Sequence, residues 1–385
     1  MKNRHHELLQ LKKNALYRQR KILSSPQARE IIINDQRLLN FCSNDYLGLA
    51  NHPQVKQAFI DAAKNYGVGS GAAHLVNGHS VEHHALEEEL ADFCGYPRAL
   101  LFSTGYMANL GVAQSLCTKH DNIIEDKLNH ASLLDAANIS HARLLRYLHK
   151  DYASLNTKLE RCDNGEKLVS SDAVFSMDGD EADIAAMQAA CKKHDALLML
   201  DDAHGFGVLG EQGRGSLSHQ KIKSETVPIY MATLGKAMGT AGAFVGGSEE
   251  LIETLIQSAR CYIYTTAMPP AIAAATRASV RLLKTESWRQ QALIKNIILF
   301  KELAAQVKLN LLKSETAIQP IIIGNAKLAL DISEKLMQKG FHVTAIRPPT
   351  VAKNSARLRV TLRADHTQED IERLVGEVYS LIDND

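Results

Sequence analysis

The sequence predicts an α/β fold with a mainly parallel central sheet, followed by a smaller C-terminal α+β domain. Short apolar runs alternate with helical patterns from about residue 40 to Leu283, which is typical of parallel strands joined by helices. Some runs, such as ALLML, are apolar at every position, as strands covered on both faces are. After Leu283 the alternation ends, and a chain of 385 residues is long enough for two domains.

The apolar and helical runs predict the elements of the N-terminal arm and then those of the large domain, in chain order. The first 40 or so residues predict a helix and then a short hairpin made of IIIND and QRLLNF. Strands are predicted at residues 99–102 and 122–126, each followed by a helical pattern, GYMANLGVAQSLC and ASLLDAANIS. Next come strand KLVSSDAVFS, helix DIAAMQAACKKH and strand ALLML. VPIYMATLG and AGAFVGG complete the predicted sheet.

The C-terminal segment predicts the small domain. Helix ESWRQQALIKNIILFKELAAQV leads into strand IQPIII and helix KLALDISEKLMQKG. Strands FHVTAI and ARLRVTL follow, and then a final helix from Thr367. We therefore expect an N-terminal helix and arm at residues 1–48, a large domain at 49–284 and a small domain at 285–385.

The composition is that of an ordinary soluble protein, with 45% hydrophobic and 23% charged residues and a formal net charge of +1. That balance gives no reason to expect a nucleic-acid partner. The six cysteines are scattered without a CxxC pair, which favours a reducing compartment over a disulfide framework. The N-terminus lacks the apolar core of a signal peptide, and no apolar run reaches about 18 residues. The expected location is the cytoplasm, without a membrane span.

One lysine, Lys236, lies in the small-residue stretch TLGKAMGTAG, where a solvated cation is out of place. An amine in apolar surroundings is more readily neutral, and a neutral lysine can form a Schiff base with an aldehyde. A pyridoxal phosphate site would also need a carboxylate for the ring nitrogen, a group that stacks on the ring and a cup for the phosphate.

Candidates for these roles occur elsewhere in the chain. Asp201 and Asp202 end the apolar strand ALLML, at the sheet edge where ligands collect, although either could cap a helix or turn. His204 could contact a ring hydroxyl or be a core histidine, and His130 precedes a helix and could stack on a ring. In FSTGYMAN a strand ends and a helix begins, which suits phosphate.

Several motif matches point to other functions. The segment HSVEH at residues 79–83 fits an inverted zinc-protease helix, with His79, Glu82 and His83 as a remote zinc-hydrolase alternative. GFGVLG follows a strand but is not followed by the helix that a dinucleotide site requires. LGKA fails as a phosphate loop because Tyr230 and Ala237 replace the required glycine and hydroxyl residue.

Taken together, the motifs resemble those of the α-oxoamine synthases, which are pyridoxal-phosphate enzymes of fold type I. The resemblance covers essentially the whole chain. The motifs that carry it are NFCSNDYLGLA, GVGSGAAHLVNGHSVEHHALEEELA, FSTGYMAN, DKLNHASLLDAA, VFSMDGD, LDDAHGFGVLGEQGRG, TLGKAMGTAG, YIYTTAMPP and AIRPPTV.

The resemblance implies a role for each matching position. Lys236 would be the Schiff-base and proton-transfer lysine, Asp201 the partner of the pyridinium nitrogen, His204 the ring-hydroxyl contact and His130 the stacking group. Further cofactor contacts would come from Gly105, Tyr106, Ser176, Thr233, Thr265 and Thr266. Of these, the threonine pair in YIYTT would reach the phosphate of a second subunit, so the resemblance implies a homodimer with a shared active site.

Substrate residues are implied in the same way, and no metal is expected at the active site. Asn44 and Arg359 would hold the amino-acid carboxylate, while Arg18 and Thr350 would contact the acyl substrate, with Arg347 in the same RPPT turn. AIRPPTV resembles the members that join L-alanine to a pimeloyl thioester, on coenzyme A or acyl carrier protein, with loss of CO2 in biotin biosynthesis.

Two other readings remain open at this point. A glycine C-acetyltransferase type of α-oxoamine synthase would use the same catalytic residues, and a catalytically silent cofactor-binding protein could retain them. The chain also departs from its relatives, with Asp172 where a glutamate is usual and Phe206 where a small or hydroxyl residue is usual. These departures bear on the fit of the acyl chain and its carrier.

Overall fold

A computed structural model describes residues 4–14, 16–162 and 164–383 of the chain. The described chain divides into two compact units. The larger unit consists of Leu49–Ser176 and Glu181–Gln290, and the smaller of residues up to Gly48 together with Met177–Asp180 and the chain from Gln291. No helix in the described parts of the chain is long and apolar enough to cross a membrane.

The regular elements are numbered along the chain. The helices are α1 Arg4–Lys13, α2 Pro53–Tyr66, α3 Val81–Cys94, α4 Gly105–Leu116, α5 Ala131–Ser140, α6 Tyr152–Leu159, α7 Ile184–His194, α8 Ser216–His219, α9 Glu249–Ser258, α10 Arg260–Ile263, α11 Pro270–Thr285, α12 Trp288–Gln306, α13 Ala326–Gln338 and α14 Gln368–Asp383. The strands are β1 Glu30–Ile33, β2 Gln36–Asn40, β3 Arg98–Phe102, β4 Asn122–Asp126, β5 Arg143–Tyr147, β6 Lys167–Asp172, β7 Leu197–Asp201, β8 Ile229–Thr233, β9 Ala243–Gly247, β10 Ile318–Gly324, β11 Phe341–His342, β12 Thr344–Ile346 and β13 Ala356–Thr361.

The larger unit is built on a sheet of order β3-β9-β8-β7-β6-β4-β5. The pairs from β8 through β5 are parallel, while β9 is antiparallel to both of its neighbours. The expected α/β class with a mainly parallel sheet is therefore confirmed. Strand β5 was not predicted, because its half-buried sequence RLLRY lacks the continuous apolar run of the inner strands.

The inner strands are buried on both faces. Ile124, Val169 and Leu200 are fully buried on one face, and neighbours such as Ile123 and Met199 are 1% exposed on the other. Burying each such side chain contributes about 1.5–3 kcal/mol, which stabilises the sheet against the entropy of ordering its loops. A rigid, doubly covered sheet then fixes the positions of the residues that follow its strands.

The carboxyl ends of six strands lie at one edge of this sheet. Because β9 is antiparallel to both β3 and β8, β3 runs in the same direction as the parallel strands. The residues at these six ends are Phe102, Asp126, Tyr147, Asp172, Asp201 and Thr233. In open α/β sheets this is the edge where ligands bind.

The smaller unit contains two three-stranded sheets, β1-β2-β11 and β10-β13-β12. The predicted hairpin of β1 and β2 is present, with Ile33 paired to Gln36. The prediction of one strand at FHVTAI was wrong, because the chain breaks at Val343 into β11 and β12, which belong to different sheets. Val343 itself is 1% exposed, so the break buries its side chain.

A buried ion-pair cluster holds the turn after β13. The Arg363 side chain is 1% exposed and lies 3.1 Å from Asp45 and 2.8 Å from Asp365. Next to it, His366 Nδ1 accepts a hydrogen bond from the Arg363 N–H at 3.2 Å, and Nε2 donates to the Asn40 carbonyl at 3.1 Å. Both ring nitrogens are used by a neutral imidazole.

Acid is expected to destabilise the fold through His366. Burial, together with the Arg363 charge, lowers the pKa of His366 to about 4, although Asp365 opposes the shift. The unfolded chain, with a histidine pKa of about 6.5, binds the proton first, so this stability is complete above pH 6.5 and falls as the pH drops toward 4. The slope is about 1.4 kcal/mol per pH unit for this one group.

Chemical denaturation between about pH 7 and about pH 5 measures this slope. His366→Gln should reduce the pH dependence by up to about one proton, and His120→Gln, at an exposed position, is the control for the substitution itself. An unchanged slope in the His366 variant would show that this group does not titrate with unfolding.

Candidate active site

Lys236 lies in the turn after β8, and its Nζ is 2.9 Å from Nε2 of His204. The side chain is half-buried rather than buried, which corrects the picture drawn from its neighbours. Those neighbours allow close approach: a Cβ on Gly239, where φ is +69°, would lie 2.3 Å from the Ala50 nitrogen. The small residues therefore let the backbone pass closely beneath a lysine that remains accessible.

The adjacent aspartates at the end of β7 have different environments. Asp201, which is 4% exposed, accepts hydrogen bonds from Asn109 Nδ2 at 2.8 Å and from the Ala203 N–H at 3.0 Å. Asp202 accepts from the Ser216 N–H and hydroxyl at 2.7 and 2.6 Å, and from the Tyr230 hydroxyl at 2.7 Å. The carboxylate oxygens of Asp202 are therefore used by hydrogen bonds to Ser216 and Tyr230. Asp201 lies beside the polar groups of the candidate site.

A hydrogen-bonded chain joins Asp201 to His130. The Asn109 amide donates to Asp201 and also lies 2.8 Å from the Ser132 hydroxyl. Ser132 Oγ is in turn 2.7 Å from His130 Nδ1, and the Ser132 N–H donates to the same nitrogen at 3.2 Å. His130 caps α5 by this contact, so its ring orientation depends on the serine.

Nearby charges and partial burial also affect the pKa of His130. Partial burial lowers the pKa of the His130 ring, the charge of Asp201 opposes that shift, and Lys236 adds to it. The His130 N–H donates to Asp172 at 2.8 Å. Burial and the charge of Asp201 raise the pKa of Asp172 well above its usual range. The departure at Asp172 therefore concerns a carboxyl group that supports the backbone of His130.

The predicted phosphate cup lies at the start of α4. Thr104 caps the helix, its hydroxyl accepting from the Met107 N–H at 3.1 Å. A Cβ on Gly105 would lie 2.6 Å from Thr233 Cγ2, so glycine is required for the helix start to approach the end of β8. Tyr106 is 41% exposed and donates a hydrogen bond to Asp135.

Three other predicted cofactor residues also lie in the larger unit. Ser176 is half-buried beyond the end of β6. Thr266 is exposed and forms an antiparallel bridge with Ala73, while Thr265 precedes it at a half-buried position. Their predicted roles toward a cofactor, including contact with a second subunit, stay predictions.

The predicted substrate residues form two groups in the smaller unit. Arg359 donates to Asn44 Oδ1 at 3.3 and 3.4 Å, so these two residues are in contact as expected for a shared ligand. Burial and the like charge of Arg18 lower the pKa of the Arg347 guanidinium. Thr350 is exposed, and its N–H donates to the Arg347 carbonyl at 3.1 Å.

The structure contradicts the zinc-hydrolase alternative. Helix α3 begins at Val81, so His79 lies outside the helix that was expected to carry it. Glu82 pairs with Arg277 at 2.7 Å. His83 is fully buried, with Nδ1 3.0 Å from the Ser80 N–H and Nε2 2.7 Å from the Met268 carbonyl. Glu82 is therefore engaged by an arginine, and both ring nitrogens of His83 are engaged in hydrogen bonds where a zinc ligand would need one of them.

The described residues fit pyridoxal phosphate. Among the described residues, the buried Asn109 Oδ1 has no hydrogen-bond partner, and Gly105 leaves room that a Cβ would fill. A primary amine, a buried carboxylate, an imidazole and a helix N-terminus are together the donor set that an anionic pyridine aldehyde requires.

Comparison with known proteins decides the family. A family model described as aminotransferase class I and II matches residues 36–378. The 8-amino-7-oxononanoate synthase of Nitrosococcus oceani is 54% identical over 98% of this chain and 100% of its own length. The chain belongs to the 8-amino-7-oxononanoate synthase family.

Solved structures agree with that assignment. The 8-amino-7-oxononanoate synthase of Francisella tularensis is 33% identical with a TM-score of 0.79, over 90% of this chain and 98% of that one. Serine palmitoyltransferase from S. paucimobilis, with PLP and myriocin bound, is 28% identical with a TM-score of 0.93, over 99% and 96% of the two chains. The fold is that of the fold type I transferases, as expected.

Sequence reasoning missed the residues that link the predicted ones. Asn109 is fully buried within the largely apolar helix α4, and Ser132 is 1% exposed at the start of α5. A polar residue at a buried helix position was the available signal, because such a group must find a partner. Asn109 and Ser132 connect Asp201, the predicted partner of the ring nitrogen, to His130, the predicted stacking group.

Replacing Asn109 is therefore expected to disturb Asp201 and His130 together. Asn109→Ala removes the amide that donates to Asp201 Oδ2 and to Ser132 Oγ, which costs about 1–3 kcal/mol and lowers kcat/KM about 5- to 150-fold. The pH dependence of the bound cofactor's visible absorption should shift as well. Asn156→Ala, in helix α6, is the matched control and should change neither. If activity fell while the pH dependence of the absorption stayed the same, Asn109 would contribute only to packing.

Proposed function

We propose that the protein joins L-alanine to a pimeloyl thioester to give 8-amino-7-oxononanoate, CO2 and the free thiol, in biotin biosynthesis. The observation that carries the proposal is the grouping of Lys236, His204, Asp201 and His130 at the ligand-binding edge of the sheet. It occurs in a chain that is more than half identical to synthases of that name. The cytoplasm is the proposed location, which suits the free cysteines of the described chain.

Pyridoxal phosphate, when bound, supplies an electron sink for bonds broken at the α-carbon of the amino acid. Asp201 offers an acceptor oxygen, held in place by Asn109 and Ala203, to the protonated ring nitrogen. The first N–H groups of α4 lack partners within the helix and can bind the phosphate. His130 is oriented by Ser132 to lie against the ring.

Lys236 is the proposed proton carrier of the reaction. Its Nζ takes the proton from the α-carbon of alanine, and that carbon forms a bond to the thioester carbonyl as the thiol leaves. Loss of CO2 from the resulting β-keto acid and return of a proton to the same carbon complete the product. His204, 2.9 Å from Nζ, can accept a hydrogen bond from the amine and so orient it.

Two groups of side chains, each containing arginine, suit the two carboxylates of the substrates. Arg359, with Asn44 at 3.3 Å, can bind the alanine carboxylate, as a guanidinium and an amide would. Arg18 and Arg347 are close enough for their charges to repel, and an anion between them would relieve that repulsion. The distal carboxylate of a pimeloyl chain is such an anion.

The acyl preference tests this part of the proposal. The enzyme should prefer a pimeloyl thioester to a heptanoyl thioester, which has the same length without the distal carboxylate. Arg18→Gln with Arg347→Gln should lower kcat/KM for pimeloyl about 10- to 100-fold, since charged hydrogen bonds contribute about 1.5–3 kcal/mol, and should leave heptanoyl turnover unchanged. Arg20→Gln is the exposed control. An equal loss of kcat/KM with both thioesters would show that the two arginines do not recognise the distal carboxylate of the acyl chain.

A homodimer with a shared active site belongs to the same proposal. Helix α1 has no buried residue, and its Leu8, Leu9 and Leu11 are 40–48% exposed, as apolar side chains awaiting a partner are. The Thr265–Thr266 segment would then reach the phosphate of the second subunit. Light scattering at micromolar concentration should give twice the chain mass, and a monomer with full activity would overturn the shared site.

A further inference from the structure

A second group of chemically active side chains lines a cleft of about 470 Å³ beside helix α3. Its lining includes His74, His79, His84, Glu87 and Arg98. None of these residues belongs to the proposed cofactor or substrate sites. His79 lies just before the helix, and His84 and Glu87 follow on its first two turns, three residues apart and therefore on one face.

The donor atoms converge within metal-binding range. One ligand atom each from His79, His84 and Glu87 lie within 4.8 Å of one another. His79 Nε2 is 3.9 Å from Glu87 Oε2. Ligands on one tetrahedral zinc are about 3.4 Å apart, from bond lengths of about 2.0–2.2 Å, so small side-chain rotations close the site.

Neighbouring groups orient these ligands. His79 Nδ1 is 2.9 Å from His74 Nδ1, a hydrogen bond that directs Nε2 of His79 toward Glu87. His84 Nε2 is 3.5 Å from Glu88 Oε1. A histidine whose second nitrogen meets a carboxylate or another acceptor is the usual arrangement of a metal ligand.

The alternative group of His74, His79 and His83 is less suitable. His83 uses both ring nitrogens, toward Ser80 and the Met268 carbonyl. Glu87 by contrast keeps one oxygen for the Leu101 N–H, at 2.9 Å, and turns the other toward His79. Arg98, the cation of the cleft, is paired with Glu249 and Glu253 at 2.9 and 3.3 Å, which reduces its repulsion of a metal.

We propose that His79, His84 and Glu87 form an accessory zinc site on the wall of this cleft. Two imidazoles and a carboxylate suit a borderline divalent cation such as Zn²⁺, and the cleft leaves a fourth position for water. Bound zinc joins the segment that precedes α3 to the helix itself. The zinc therefore stabilises the turn from His74 to Ser80, a role separate from the condensation reaction.

Zinc titration of the metal-free, untagged holoenzyme tests the site. Wild type should bind about one zinc per chain by calorimetry and by metal analysis after dialysis, and zinc should raise its Tm by a few degrees. His79→Gln with His84→Gln should abolish both effects. His84→Gln alone, at a side chain that is 66% exposed, should weaken binding at least tenfold without affecting the fold.

Another histidine pair provides the control. His5 and His6 in α1 are exposed and could bind zinc by themselves, so His5→Gln with His6→Gln should keep the stoichiometric site. Zinc retained by the His79 and His84 variant, or lost in the His5 and His6 variant, would overturn the proposal, as would wild type that binds no zinc. Turnover without zinc should be the same in all variants, so the result does not depend on the proposed reaction.

Discussion

Lys236→Ala is expected to lower turnover of L-alanine with a pimeloyl thioester by at least about 10³-fold. Removal of a positioned proton-transfer group alone costs about 10²- to 10⁴-fold, and the proposed covalent attachment of the cofactor would be lost as well. Reduction with borohydride followed by peptide mass spectrometry should place the cofactor on Lys236 in the wild type and nowhere in the variant.

The matched control for this prediction is Lys56→Ala on the exposed face of α2. Alanine is a good helix former, so the control should keep the fold, the cofactor adduct and full turnover. A Lys236 variant that keeps more than a tenth of wild-type turnover, or an adduct on another lysine, would refute the proposed role.

The second large effect is expected at Asp201. Asp201→Asn keeps the size of the side chain but removes the charge that we propose faces the protonated ring nitrogen. Breaking a buried charge pair costs about 3–5 kcal/mol, so kcat/KM should fall about 10²- to 10⁴-fold. The visible spectrum of the bound cofactor should change together with activity.

Asp202→Asn, the control next to Asp201, is expected to behave differently. Its carboxylate accepts hydrogen bonds from Ser216 and Tyr230, so the variant should lose stability. Burial raises the pKa of Asp202 to about 6, which means that the protonated form is already accessible and the cost of neutralising it is moderate. If Asp202→Asn changed the cofactor spectrum more than Asp201→Asn, the roles of the two aspartates would have to be exchanged.

The sequence predicted those features that arise from local pattern. Continuous apolar runs such as ALLML identified the inner strands, because burial on both faces leaves a signal in every residue. The edge strand β5 has one buried residue, so its sequence carries no such continuous apolar signal. The break at Val343 was also invisible, since an apolar residue between two strands continues the same pattern.

At the candidate site, the sequence pointed to the groups now proposed to react and missed the residues that form hydrogen bonds with them. Lys236 and Asp201 stand out because their surroundings are unusual for charged side chains. Asn109 and Ser132 contribute through hydrogen bonds between α4 and α5 that depend on tertiary packing, which a single sequence does not report. The position of His79 depended on where α3 begins, and helix ends are the least predictable part of a helix.

One assay tests the central proposal most directly. Purified holoenzyme would be incubated with L-alanine and a pimeloyl thioester, and the product identified by mass spectrometry while CO2 and free thiol are measured. We predict 8-amino-7-oxononanoate, with CO2 and thiol released in equal amounts, and much slower turnover of glycine with acetyl-CoA. The absence of that product, or faster turnover of glycine with acetyl-CoA, would contradict the proposed function.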